Sequence, residues 1–406
     1  MQRVGNLTLL RMFLPFLGRL PIDHVRYMWG LFANERPHRH GGQIRVNSFF
    51  PPFPSPAWTR FCRAVIQRQR APYSLYLATT SSCPAACEHC SYARRAAASL
   101  DKEVALRVVW EAKQIGTITL GFTGGEPLMV PHLEELIAAA RPELATIIFT
   151  GGYGLDAARA LSLASAGIDC VTVGFESADA CEHDRVRKRA GSFDVSAAAV
   201  EACRGAGIYT AMSTVATRER LQRGELEALW RLGAAWGVGE LRVLSPVATG
   251  GWTGAAGNAL DAEELATVRR FHVEHNRASD GPVVAAFAYL ESNELYGCGA
   301  GFHHAYVDAA GNVSPCDLTP FSFGNVNDEP LTEIWQRMGE RFPLPRCGCL
   351  MKEVAGSLTA GQSLPVDLPK SRATIPAYDP VGPLPGCMRR LFVSEQESIR
   401  ERQPRR

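Results

Sequence analysis

The sequence lacks a dominant charge: 43 Lys and Arg stand against 41 Asp and Glu in 406 residues, a formal net charge of +2. A balance this even builds no field for gripping nucleic acid, and no nucleic-acid partner is expected. A long uninterrupted apolar run is missing too. The most apolar stretch, Leu7 to Phe32, is broken by Pro15 and Pro21 and carries Arg11, Arg19 and Arg26. Each arginine would cost roughly 2.5–3.5 kcal/mol near the centre of a spanning helix, so spanning is excluded. No cleavable signal peptide is expected, and no repeat is visible beyond a strand–helix unit. Nor do the twelve cysteines make the evenly spread pattern of a disulfide-stapled scaffold; they fall mainly in two groups far apart. A reduced, cytoplasmic setting is expected.

What is present divides the chain into four parts. Residues 1–70 read as a helical, aromatic extension. Within it, Asp23 is a candidate N-cap, and Val25, Met28, Trp29 and Phe32 recur at i, i+3, i+4 and i+7, one apolar stripe on a short helix. Two readings of that stripe stand: packing on the rest of the protein, or lying in a membrane interface as a peripheral anchor. The run Phe49–Pro56, rich in proline, is an extended connector into the next domain.

Residues 71–290 alternate short apolar runs with amphipathic ones. Strands are expected at Tyr73–Ala78, Thr117–Thr123, Thr146–Thr150, Cys170–Gly174, Tyr209–Val215 and Glu240–Leu244, with helices starting near Asp101, His132, Asp156, Asp194 and Gly224, and a further one near Asp261. Such alternation implies an α/β fold around a parallel sheet, whose ligands gather at the C-terminal ends of the strands. Residues 291–395 change to short strands, turns and cysteines, with a proline-rich surface loop over 352–386. Residues 396–406 read as a disordered tail.

Directly after the first expected strand comes Ser82-Cys-Pro-Ala-Ala-Cys-Glu-His-Cys90. Three thiolates this close can hold three irons of a cubane and leave the fourth without a protein ligand, which opens it to a small molecule. A structural zinc site, by contrast, closes its sphere with a fourth ligand, which here would have to be His89 or a distant cysteine. At the end of the second strand, Thr123-Gly-Gly-Glu-Pro127 combines glycines that let backbone approach a ligand with a carboxylate that can accept from an ammonium group. Val173-Gly-Phe-Glu-Ser177 closes the fourth strand with another acid.

The triad and the Gly-Gly-Glu-Pro turn one strand later resemble the signature of the radical S-adenosylmethionine superfamily. The resemblance implies a partial (β/α)6 TIM-like barrel and a [4Fe–4S] cluster on Cys83, Cys87 and Cys90. Its open iron would chelate S-adenosylmethionine, which is reductively cleaved to a 5'-deoxyadenosyl radical that abstracts a substrate hydrogen. It implies cofactor contacts from Gly124, Gly125, Glu126 and Pro127 toward the amino group, from Glu176 toward the ribose, and from Ser213. His89 stands where an aromatic residue is usual and is expected beside the adenine. Gly174 and Glu176 depart from the Ser-Leu-Asp of many peptide-modifying relatives, although a carboxylate is kept.

Cys298 and Cys316 bracket a segment, Ala305–Pro315, that reads as a hairpin turning at Ala-Gly-Asn. Together with Phe323-Gly-Asn-Val and Leu331-Thr-Glu-Ile-Trp335, it resembles the auxiliary-cluster domain called SPASM or its short form called twitch. Two further closed cubanes would need about eight thiolates; the group offers Cys298, Cys316, Cys347, Cys349 and Cys387, so one auxiliary cluster, a [4Fe–4S], is expected. Its expected ligands are Cys298, Cys316, Cys387 and one of Cys347 or Cys349, with zinc as the competing occupant. Cys62, Cys170, Cys181 and Cys203 default to buried apolar residues, Cys181 being also a candidate hydrogen donor near the ribose strand.

The expected activity is hydrogen abstraction from a biosynthetic small molecule or ribosomal peptide, with a flavodoxin or ferredoxin as electron donor. The alternatives are a membrane-associated enzyme acting on a lipid, and a non-catalytic iron–sulfur or zinc scaffold.

Overall fold

The computed structural model describes residues 4–402, apart from 279 and 360. Strands β1 (His38–His40) and β2 (Gln43–Arg45) form a small antiparallel hairpin. Then follow β3 (Ser74–Thr80), β4 (Thr119–Gly124), β5 (Ala145–Thr150), β6 (Cys170–Gly174), β7 (Thr210–Val215) and β8 (Glu240–Leu244), paired parallel in chain order. These are the six expected strands. Two more parallel strands extend the sheet, β9 (Val283–Ala286) beside β8 and β10 (His304–Val307) beside β3, and β11 (Val313–Ser314) caps that edge antiparallel to β10. The barrel is open, with β11 and β9 at its two ends.

The crossovers follow from local chemistry. Asp101, Asp156 and Asp261 accept hydrogen bonds from the Glu103, Arg159 and Glu264 amides, capping Lys102–Gln114, Ala157–Ala166 and Ala262–Arg277. The helix expected near Asp194 begins earlier, at Ser192, because Asp184 accepts from the Gly191 and Phe193 amides and the Ser192 hydroxyl. Leu75, Leu120, Ile148, Val171, Met212 and Leu241 from successive strands are buried in one core with the apolar faces of these helices. Both faces of the sheet's strands are covered, as a parallel sheet requires.

A second core joins the two ends of the chain. Val25, Met28 and Phe32 of helix Ile22–Phe32 pack with Trp58, Phe61 and Val65 of helix Pro56–Ile66 and with Met388, Leu391 and Phe392 of helix Gly386–Arg402. The apolar stripe is therefore largely covered by the protein itself, while Trp29 is exposed. Asp23 lies in the first turn of its helix and Pro21 is the N-cap. The expected tail from residue 396 is corrected by the same helix: residues 396–402 belong to it, with buried Gln396 donating to the Gly382 carbonyl at 2.7 Å. Residues 403–406 lie outside the described residues. The proline-rich segment is stapled down as it passes, the Ser322 amide donating to Val366 and the Val366 amide to Pro320. Among the described residues, no helix is long and apolar enough to cross a membrane.

Candidate active site

The loop after β3 carries Cys83, Cys87 and Cys90 and is held by backbone bonds from Ala86 to Arg187, Glu88 to Val186 and Gly251 to Cys90. Burial pushes all three thiols up, Cys87 to about 12. Cys83 is open to the cavity and Cys87 and Cys90 are half-buried; thiols that resist ionising alone are suited to a cation that would stabilise the thiolates, and among the described residues no fourth cysteine stands on this loop. The donor set thus fits three irons of a cubane with one left open.

The Gly-Gly-Glu turn closes directly onto this loop. The Gly125 amide donates to the Thr80 carbonyl and the Glu126 amide to Ser82, both at 2.7 Å. Gly124 has φ +119°, and a Cβ on Gly125 would stand 2.1 Å from the Ser82 carbonyl oxygen, so both glycines are required by the contact. The Glu126 carboxylate accepts from the Thr150 hydroxyl (2.6 Å) and from the Gly151 (2.8 Å) and Leu128 (3.2 Å) amides. Burial nevertheless raises it to about 7, the state of an acid awaiting a positive charge. Pro127 opens the buried turn Pro127–Met129.

Glu176, just past β6, is a charge hub. His89 Nε2 lies 3.3 Å from it, Arg187 Nη2 3.2 Å and Arg220 Nη2 2.9 Å. Burial would raise its carboxyl, but His89, Arg187 and Arg220 together hold it well below the usual range. His89 therefore does more than present a ring: it orients the acid and faces Trp252 at 5.8 Å between centroids. Arg187 and Arg220 carry no sequence signal, because each stands among other arginines on a short helix and looks like any surface charge. Cys181 is exposed on helix Ala180–Arg187 and is not among the side chains lining the cavity described next.

A cavity of about 440 Å³ runs through the barrel. Cys83, Cys87, Cys90, His89, Gly124, Gly125, Glu126, Glu176 and Ser213 line one part of it, and Cys298, Cys316, Cys349 and Cys387 another; Pro127 and Cys347 do not line it. Between them Arg242 lies against the rings of Phe49 (4.5 Å) and Phe287 (4.7 Å), donating to the Ser48 hydroxyl at 2.7 Å and to Tyr76 at 2.9 Å. Glu291 opens onto the cavity yet is enclosed by protein, which pushes its carboxyl up to about 8. A more open groove lined by Arg269, Tyr289 and Glu294 shares none of these side chains.

The second cysteine group meets the first because β10 pairs with β3, the strand that launches the triad. Cys298, Cys316 and Cys349 sit with one apolar core, and a bridge between Cys298 and Arg346 brings the Cys349 turn alongside. A hydrogen bond between Cys298 and Cys349 lowers the Cys349 thiol and raises that of Cys298. Cys316 donates to Asp317 Oδ1 at 3.3 Å, and His304, Cys316 and Asp317 present donor atoms within 4.8 Å of one another. Cys387 packs instead in the core joining the chain ends, beside the charge of Arg390, and Cys347 beside Arg389 and Glu294. Of the five candidate cysteines, from which four ligands are expected, the structure thus gathers three: Cys298, Cys316 and Cys349. The expected ligand set holds neither Asp317 nor His304; the adjacency of Asp317 to Cys316 in sequence is the available hint.

Comparison with known proteins agrees with this geometry. The sequence model of the radical SAM superfamily matches residues 77–220, and that of SPASM, an iron-sulfur cluster-binding domain, matches 298–342. The PqqA peptide cyclase of Streptomyces rochei is 32% identical over 65% of this chain and 76% of its own. The AdoMet-dependent heme synthase of Nitratidesulfovibrio vulgaris is 26% identical over 65% and 78%. In three dimensions, SuiB of Streptococcus suis, solved bound to precursor peptide SuiA, superposes with a TM-score of 0.55 at 17% identity, covering 68% of this chain and 69% of that one.

Proposed function

Because the chain belongs to the radical S-adenosylmethionine superfamily, in its SPASM-containing branch, we propose that it is an enzyme abstracting hydrogen from a substrate held between two iron–sulfur sites. The observation that carries this is the single cavity onto which both cysteine groups open. When bound, the reduced catalytic cluster and S-adenosylmethionine supply one-electron cleavage of a carbon–sulfur bond, and with it a carbon radical able to take a hydrogen atom.

The protein's own part is binding and placement. Cys83, Cys87 and Cys90 would hold the catalytic cluster, and Cys298, Cys316 and Cys349 the auxiliary one, with Asp317 the nearest oxygen donor. Glu126, whose carboxyl is raised by burial and which lines the cavity together with the triad, suits the cofactor's ammonium. Glu176, ionised and fixed by His89, Arg187 and Arg220, suits hydroxyl groups, and Ser213 lines the same stretch of wall. Arg242 and Glu291 project where substrate would lie. A ribosomally made peptide is the substrate supported first, by the PqqA peptide cyclase relationship; a biosynthetic small molecule is the second, supported by the enclosed cavity. Flavodoxin or ferredoxin would deliver the electron.

The test is anaerobic reconstitution followed by dithionite and S-adenosylmethionine. The protein should release 5'-deoxyadenosine, and Cys83→Ala should abolish the release. Fully iron-loaded protein that leaves the cofactor intact would refute the reading.

A further inference from the structure

Six of the eleven exposed large apolar side chains among the described residues fall between residues 7 and 29. Leu7, Leu10, Leu14 and Leu17 recur at steps of three and four along helix Asn6–Phe13 and the turn that continues it, and are 42–69% exposed. Ile22 (57%) and Trp29 (43%) continue on helix Ile22–Phe32. This is not a helix with its apolar face misplaced. Met12, Phe13 and Phe16 on the other side are already packed in the core, so the leucine row is apolar surface beyond what folding uses.

The charge around the row selects what covers it. Arg11, Arg19 and Arg26 are exposed on the same segment, and Asp23, itself 3.8 Å from Arg26, is the one acid between residues 4 and 32. Pairing this face with its copy would bring together two patches that each carry three arginines and one aspartate, like charge against like. An anionic surface satisfies them. The same helix that shows Ile22 and Trp29 outward turns His24 and Met28 into the barrel cavity. We propose that this face docks on an anionic lipid bilayer, the six apolar side chains entering the acyl boundary and the three arginines meeting the headgroups. Docked this way, the helix that lends His24 and Met28 to the cavity wall lies against the bilayer.

Flotation of the reconstituted full-length protein with vesicles tests this without requiring turnover. Protein should co-float with phosphatidylglycerol/phosphatidylcholine vesicles at least tenfold better than with phosphatidylcholine alone, and the gain should shrink in 0.5 M salt. The double variant Leu10→Asp/Leu17→Asp should lose at least tenfold, while Trp110→Asp, which alters an exposed apolar residue elsewhere, should not. Iron content and S-adenosylmethionine cleavage of both variants should match the parent, which separates loss of docking from loss of fold. Flotation unchanged by the leucine variant overturns the proposal. So does a parent that ignores vesicles but sediments as a dimer dissociated by that variant, which would assign the face to a second copy. Vesicle binding without cofactor cleavage would leave docking intact and refute only the enzymatic reading.

Discussion

Arg95 and Asp308 form an ion pair at 2.9 Å with both side chains 1% exposed. Arg95 belongs to the stretch after the triad and Asp308 to the turn of the β10–β11 hairpin, whose amides at Ala310 and Asn312 it also holds. The pair therefore clamps the catalytic loop to the auxiliary module. Asp308→Ala should strand a buried guanidinium and cost about 3–5 kcal/mol. Denaturant unfolding should show the loss, and anaerobic iron analysis should show both sites under-loaded rather than one.

Adding one methyl group at Gly125 should be equally informative. The clash is with backbone of the cysteine loop, which cannot swing aside as a side chain would. Gly125→Ala is expected to destabilise by about 1–3 kcal/mol and to lower iron at the catalytic site selectively. A parent-like cluster spectrum and melting temperature would contradict the close contact.

The five C-terminal cysteines should separate into two classes under alanine substitution. Cys298, Cys316 and Cys349 variants should each lose about four irons per chain while keeping 5'-deoxyadenosine release, since the catalytic triad is untouched. Cys347→Ala and Cys387→Ala should keep their iron. Loss of iron in Cys387→Ala would restore it to the ligand set.

Glu126 makes a prediction about pH. Its folded value of about 7 lies above the ordinary 4.5, so the folded state binds this proton more tightly than the unfolded chain. Stability from this group is fully present below the unfolded value and falls as pH rises through the folded one, by up to roughly 3 kcal/mol. Without cofactor, Glu126→Gln should flatten the decline in stability between pH 5 and pH 8 relative to the parent. Glu291 contributes in the same direction, so the decline should shrink and not vanish. Parallel curves for parent and variant would show that the carboxyl is not held protonated.

Much of this architecture could be read from residue order. Strand–helix alternation points to β3 to β8, and aspartates mark three of the six expected helix starts, at Asp101, Asp156 and Asp261. What escaped has identifiable causes. Strand β9, Val283–Ala286, is four buried residues without polar alternation and so carries no period. Helix Pro56–Ile66 hides behind a proline run, although Ser55 at its N-cap and Trp58, Phe61, Cys62 and Val65 at helical spacing were available signals. Helix Gly386–Arg402 is charged toward its C-terminal end, which masks the apolar side of Met388, Leu391 and Phe392 that packs with Met28 and Phe302. The site divides likewise. Cysteines and glycines announce themselves by spacing, whereas the bond from Arg242 to Tyr76 spans 166 positions and no local pattern encodes it.

The pairing of β10 with β3 also bears on how the protein is made. Ser74 and His304, joined by a 2.7 Å hydrogen bond between those strands, are 230 positions apart. During synthesis, the strand preceding the triad must wait with an unpaired edge until nearly three-quarters of the chain has left the ribosome. Maturation of the catalytic site is thereby tied to completion of the auxiliary module, and a chain truncated before residue 304 should aggregate along that edge instead of accumulating as a half-built enzyme.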